Sequence, residues 1–299
     1  MDAKPASRTF FIEQHSFTAP ALEAGLYLVP TPIGNLGDVT LRSLQVLAAA
    51  DILYCEDTRV TPKLLERFGI KVKLRPYHDH NADEAGKAII ADIESGKAVA
   101  LASDAGTPLL SDPGFPLVRD CIALGLKVEA LPGASALLPA LQLSGLPTDR
   151  FSFLGFLPQK RNDRLKLLSD VAGRSETVVL YESPYRIVEA LEDMVQELGT
   201  RPLSVSRELT KLHEESLRGT AASILDQLRT RPSIKGEFVI VIGPATKQPR
   251  ELSEADIDKA IDEALQDLPS GKAASQVSKA LGLPRDDIYA RILKRKGRA

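Results

Sequence analysis

The chain has 299 residues, 43% of them hydrophobic, with 38 Lys and Arg against 40 Asp and Glu for a formal net charge of −2. This length suggests about two domains, the apolar share excludes global disorder, and the near balance of charge argues against indiscriminate nucleic-acid binding while allowing local basic patches. Cys55 and Cys121 sit in apolar runs without CxxC spacing, and the longest apolar stretches are strand-sized, far short of the ~20 residues a membrane helix needs, so a soluble cytoplasmic protein with reduced core thiols is expected.

Residues 1–25 show no clear period and read as a flexible leader. From there the pattern is regular. Short apolar strands are predicted at 26–29, 51–55, 74–77, 99–102 and 127–131. Between them run helical spacings at 40–49, with Thr40 as N-cap, and at 62–68, 83–95 and 114–124, three of them closed by Gly69, Gly96 and Gly125. Strands alternating with helices predict a parallel α/β sheet with right-handed crossovers over 26–145. After the linker Leu146-Pro147-Thr148-Asp149, a second α/β domain is expected over 149–245, with strands at 151–156, 177–181, 203–207 and 238–243 and helices near 163–171, 183–198 and 220–228. The tail, 250–299, reads as helical and free of strands.

Four predicted strands of the first domain run into small-residue or acidic loops: Pro32 to Asp38, Glu56 to Arg59, Ser103 to Asp112 and Pro132 to Ser135. Ligands of open α/β sheets sit outside the carboxyl ends of strands, and glycine there lets backbone approach a bound molecule. Four such loops on one sheet edge predict a cleft floor. Neither GxGxxG after a strand nor GxxxxGK[ST] occurs, so a dinucleotide site, an ordinary methyltransferase site and a P-loop are all unsupported.

The segment Val29-Pro30-Thr31-Pro32-Ile33-Gly34-Asn35-Leu36-Gly37-Asp38 closely resembles the opening of the 16S ribosomal RNA cytidine 2′-O-methyltransferases, a family of the tetrapyrrole methylase superfamily. The resemblance continues through Cys55-Glu56-Asp57-Thr58-Arg59, Ser103 to Pro108, Ser111-Asp112-Pro113-Gly114, Leu131 to Ala136, Leu180 to Pro184, Ser206 to Lys211 and Gly236-Glu237-Phe238. It implies two α/β domains in a homodimer, with S-adenosylmethionine held between the domains, and 2′-O-methylation of a decoding-centre cytidine of 16S rRNA in the small ribosomal subunit. By position it assigns the cofactor contacts to Pro32, Asp104, Ala105, Gly106, Thr107, Pro108, Ser135, Ala136, Tyr181, Ser183, Pro184 and Gly236.

A ribose hydroxyl is a poor nucleophile while protonated, and a positioned base can contribute about 10²–10⁴-fold. Asp57, at the end of its strand, is the first candidate and Glu208 the second; both also read as structural acids paired with Arg59 and Arg207. Lys160, Arg161, Arg164 and Lys166 form a basic stretch that, given a nucleic-acid acceptor, is expected to contact phosphate. The tail has helix-turn-helix cadence around Gly282-Leu283-Pro284 and ends in Lys294, Arg295 and Lys296, a further expected RNA contact or, equally, a packing unit. His78-Asp79-His80 lacks a third ligand nearby, and no metal is expected. A small-molecule methylase and a non-catalytic binding protein are the competing functions; the basic tail and the Pro30 to Asp38 loop favour RNA.

Overall fold

The computed structural model describes residues 8–245 and 254–296, and the side chain of Lys296 lies outside that description. Contacts divide the chain into two compact units, one ending at Ala245 and one formed by the tail.

The first unit opens with a hairpin of β1 (Thr9–Ile12) and β2 (His15–Thr18). This corrects the flexible reading of 8–25. Phe10 is buried and stacks on Phe17 at 5.4 Å, and the Phe11 amide donates to the Phe68 carbonyl at 2.8 Å. The Phe11 ring lies over Gly69, where a Cβ would sit 2.6 Å from it, so glycine is required there. Two four-residue strands are too short to show a period, which is why the sequence pattern missed them.

The first α/β domain follows. Its strands are β3 (Gly25–Val29), β4 (Ile52–Cys55), β5 (Lys73–Pro76), β6 (Ala98–Ala102) and β7 (Val128–Ala130), all parallel in the order β5-β4-β6-β3-β7. Helices α1 (Leu41–Ala49), α2 (Thr61–Arg67), α3 (Ala82–Glu94) and α4 (Phe115–Ala123) cross between them. Thr40 caps α1, accepting from the Ser43 amide at 3.0 Å. Every residue of β6 is buried: Ala98, Ala100 and Ala102 face Leu44 and Leu47, and Val99 and Leu101 face Ile89 and Leu117. A strand covered on both faces has no reason to alternate with polar residues, which accounts for its unbroken apolar run.

Helix α5 (Leu137–Ser144) leaves the first sheet and packs on the second, burying Leu137, Ala140 and Leu141 against Val179, Val239 and Val241. Each large apolar side chain so buried contributes about 1.5–3 kcal/mol, and together they fix the two domains as one body. Pro139 hides this helix from a sequence reading, yet it falls in the first turn, where its missing N–H costs nothing.

The second domain holds β8 (Phe151–Phe156), α6 (Arg161–Gly173), β9 (Thr177–Glu182), α7 (Ile187–Leu198), β10 (Pro202–Arg207), β11 (Glu215–Thr220), α8 (Ala221–Arg229) and β12 (Phe238–Ile242). Its order is β11-β10-β12-β9-β8, and only β8 and β9 pair in parallel. β11 is an edge strand with no buried residue, so no apolar run announced it.

The second unit is three helices, α9 (Glu254–Asp267), α10 (Ser270–Leu281) and α11 (Arg285–Lys296), around Ile261, Ala274, Val277, Ile288 and Ile292. Gly282 ends α10 at φ 68°, a left-handed cap. Among the described residues no helix is long and apolar enough to cross a membrane.

Candidate active-site cleft

Parallel pairing brings the carboxyl ends of β4, β6, β3 and β7 side by side, and their loops are stitched together there. Thr31 and Gly106 exchange both backbone hydrogen bonds at 2.9 Å. The Thr31 hydroxyl donates to the Ser103 carbonyl at 3.1 Å and the Thr107 hydroxyl to the Ala134 carbonyl at 2.9 Å. Gly106 holds φ 87°, which a larger residue adopts only with strain, and Gly133 has Pro30 where a side chain would stand. The rim is therefore tied together by hydrogen bonds and thinly clad.

Facing it across a cavity of about 450 Å³ are the start of β12, the end of β9, Phe156 and Leu209. Tyr181 packs edge-on against Phe153 at 4.8 Å and Phe156 at 5.6 Å. Burial pushes its phenol up, against hydrogen bonds with Ser135 and the Leu137 backbone that pull it down. Leu209 is delivered by a strained turn in which Glu208 (φ 51°) and Thr210 (φ 65°) both hold left-handed backbone. The Thr210 hydroxyl accepts from the Asn35 amide at 3.2 Å, tying this turn to the first domain.

The electrostatics are one-sided. Glu56, Asp104, Asp112, Glu182 and Glu237 line the cavity, and among the described residues no lysine, arginine or histidine does. Two of these acids have cations behind them: Glu182 pairs with Arg186 at 2.8 Å and Glu237 with Lys211 at 3.0 Å. Glu182 is fully buried, and its second carboxylate oxygen has no partner among the described residues. Glu56, Asp104 and Asp112 form no ion pair among the described residues. Burial, then the charges of neighbouring acids, raises Glu56 and pushes Asp112 up to about 6. Such a pocket favours a compact ligand carrying net positive charge and repels phosphate.

Of the residues expected to bind a cofactor, Asp104, Ala105, Gly106, Thr107, Ser135, Ala136, Tyr181, Ser183 and Pro184 lie on this cavity. Pro32, Pro108 and Gly236 do not. Pro32 adjoins Ile33, which does; Pro108 lines a small side pocket shared with Glu56 and Asp112; and Gly236, at φ 96°, lies beneath Glu208. Sequence reasoning gave no site role to Ile33, Glu56, Leu110, Ser111, Asp112, Phe156 and Glu237, although all but Phe156 stand in a motif or cleft-floor loop already singled out.

The two base candidates are placed poorly for that role. Asp57 is absent from the cavity lining, and hydrogen bonds from the Arg59 side chain and amide pull its carboxyl down to about 2. Glu208 accepts from Lys211 at 2.9 Å and from the Glu237 amide at 3.1 Å, which lowers it despite burial; its partner is Lys211 rather than Arg207. A carboxylate stabilised by a cation is a weak proton acceptor.

Among the basic residues the structure corrects Arg164, while the side chains of Arg161 and Arg295 stay 64% and 39% exposed. Arg164 is 3% exposed and bonds Asp193 at 2.7 Å, and Arg161 bonds the same carboxylate at 2.9 Å. They join α6 to α7. In the tail, Arg295 pairs with Asp258 at 3.2 Å and Asp262 at 2.9 Å. Lys160, Lys166 and Lys294 are exposed. Among the described residues no group of three or more His, Cys, Asp or Glu is arranged to hold a metal.

Comparison with known proteins places this architecture. Residues 25–225 match the family model of the Tetrapyrrole (Corrin/Porphyrin) Methylases, and residues 251–296 match that of the RsmI C-terminal HTH domain. The chain is 46% identical over 286 residues to a Ribosomal RNA small subunit methyltransferase I from Mesorhizobium japonicum, covering 95% of this chain and 97% of that one. It is 38% identical over 288 residues to the protein of that name from Escherichia coli O157:H7, covering 96% and 100%. Among solved structures, the cobalt precorrin-4 methyltransferase CbiF aligns with a TM-score of 0.56 at 19% identity over 73% of this chain and 94% of that one. A diphthine synthase aligns at 0.56 and 18% over 73% and 89%. The chain belongs to the tetrapyrrole methylase family, and within it to the ribosomal RNA small subunit methyltransferase I group.

Proposed function

We propose that this chain transfers a methyl group from S-adenosylmethionine to the ribose 2′-oxygen of a decoding-centre cytidine of 16S rRNA, acting on the small ribosomal subunit in the cytoplasm as a homodimer. The carrying observation is the cavity between the two domains, floored by thinly clad loops and lined by acids without an intervening cation. It fits the donor, whose sulfonium and ammonium outweigh its carboxylate by one positive charge. When bound, the donor supplies an electrophilic methyl carbon.

The chain's own residues do the rest. Backbone at Ala105, Gly106, Ser135 and Ala136 reaches the ligand because no bulky side chain intervenes, and Ile33, Phe156 and Leu209 exclude water from it. Holding donor and acceptor in line is worth up to ~7–11 kcal/mol in a well-oriented reaction. The acidic walls keep RNA phosphates out, so a single nucleoside enters while its backbone stays on the surface, where Lys160 and Lys166 are free to meet it. Support for the dimer is an apolar stripe on α4, with Phe115 69% and Ile122 63% exposed.

The test is mass mapping of ribose methylation on small-subunit RNA from cells with and without this protein. One cytidine should lose its 2′-O-methyl group in the deletion and regain it when purified protein and donor are added to the isolated subunits. An unchanged map, with transfer instead to a small-molecule acceptor, would make this a methylase of metabolites.

A further inference from the structure

We propose that Asp112 is the group by which the cleft recognises the donor's positive charge, releasing a proton to solvent as the donor binds. The inference rests on the donor assignment above and adds a proton to it.

Asp112, Glu56 and Asp104 meet on one wall of the cavity, carried by the turn before α4 and by the ends of β4 and β6. Asp79 approaches from the turn after β5, and Tyr181 faces Asp112 from β9. None of the groups acting on Asp112 is a cation. The three carboxylates are not equally supported. Asp104 accepts from the Asp57 amide at 3.0 Å, and Glu56 accepts from the Asp104 amide. Asp112 has only the Ser103 hydroxyl, a neutral donor whose single proton the Gly106 carbonyl, at 3.2 Å, competes for. Like charges gathered in a half-buried site cannot all ionise, and the least supported member keeps the proton. Its carboxyl is accordingly pushed up to about 6, by burial first and Glu56 second.

A cation in the cavity reverses that balance. The Asp112 carboxyl ionises, its proton leaves for solvent, and the carboxylate faces the ligand's charge. After methyl transfer the ligand is a thioether with no net charge, so the repulsion returns and the carboxyl takes a proton back. The wall therefore favours the donor over its product, and the preference fades as acid neutralises Asp112.

Calorimetry tests this on the full chain, titrated with S-adenosylmethionine and separately with S-adenosylhomocysteine in two buffers of different ionisation enthalpy, between about pH 5 and pH 7. The donor should release protons approaching one per site at the acid end, with its affinity weakening up to tenfold per pH unit below about pH 6, while the product shows little of either. Asp112→Asn should abolish the donor's proton release while still binding it. Equal proton release by both ligands, or release retained in Asp112→Asn, overturns the role of Asp112 and leaves the donor assignment standing. Failure of both ligands to bind at any pH overturns the donor assignment itself. The comparison of the two ligands on the unaltered protein needs no variant to fold.

Discussion

The cleft wall and helix α6 are both dense in charge, and they use it in opposite ways. On α6, Arg161 and Arg164 converge on the buried Asp193 of α7, and Arg164 also reaches Glu189 at 3.6 Å, so two cations meet two acids and hold two helices together. At the cleft, Glu56, Asp104 and Asp112 converge without an ion pair among the described residues, so their carboxyls stay available to a ligand. The tail repeats the first pattern, with Arg291 and Arg295 both on Asp258. Unpaired charge, rather than charge itself, marks the site in this molecule.

The sharpest way to break that contrast is Arg164→Ala. It leaves Asp193 buried with half its partnership gone, and a cost of about 3–5 kcal/mol is expected in urea unfolding. The salt dependence of RNA binding by the folded fraction should not change. A stable variant with a flattened salt slope would return Arg164 to the RNA surface.

Asp112→Asn is the matching change on the other side. A carboxyl raised in the folded state stabilises fully below its unfolded value near pH 4, and that stability is lost as pH rises through about 6. The asparagine variant should therefore melt higher than the unaltered protein above pH 6, with the gap closing towards pH 4. Melting curves across that range decide it; a variant destabilised at pH 8 would mean that Asp112 is satisfied in the folded protein.

Smaller effects belong to the exposed lysines. Replacing Lys160 and Lys166 with Gln should weaken binding to the small subunit and reduce the salt slope by about 0.7 for each phosphate of single-stranded RNA that is no longer neutralised. An unchanged slope would place the RNA elsewhere. The smallest effect is expected for Asp57→Asn, whose partner is the exposed Arg59. Donor affinity and single-turnover methylation should stay within about twofold, since surface ion pairs contribute little. Loss of turnover with intact binding would instead restore Asp57 as the base.

The cleft floor was legible because it is local: each loop follows its own strand, and small residues after an apolar run say where backbone is bare. The first domain's strands and the Thr40 cap follow from spacing for the same reason. What escaped depends on partners far along the chain. Arg164 reads as free until Asp193, 29 residues on, is seen beside it. β11 exists only because β10 offers it an edge, and α5 owes its apolar face to a sheet that the chain builds afterwards. Asp112 was visible as part of a motif, but its chemistry comes from Glu56 and Asp104, which other strands deliver.

A crystal structure with S-adenosylmethionine bound tests the central placement most directly. The donor is expected between the domains, with ligand atoms in contact with Gly106, Thr107 and Ser135 on one side and Tyr181 on the other. Density for the donor away from that cavity, in protein that still methylates the small subunit, contradicts it.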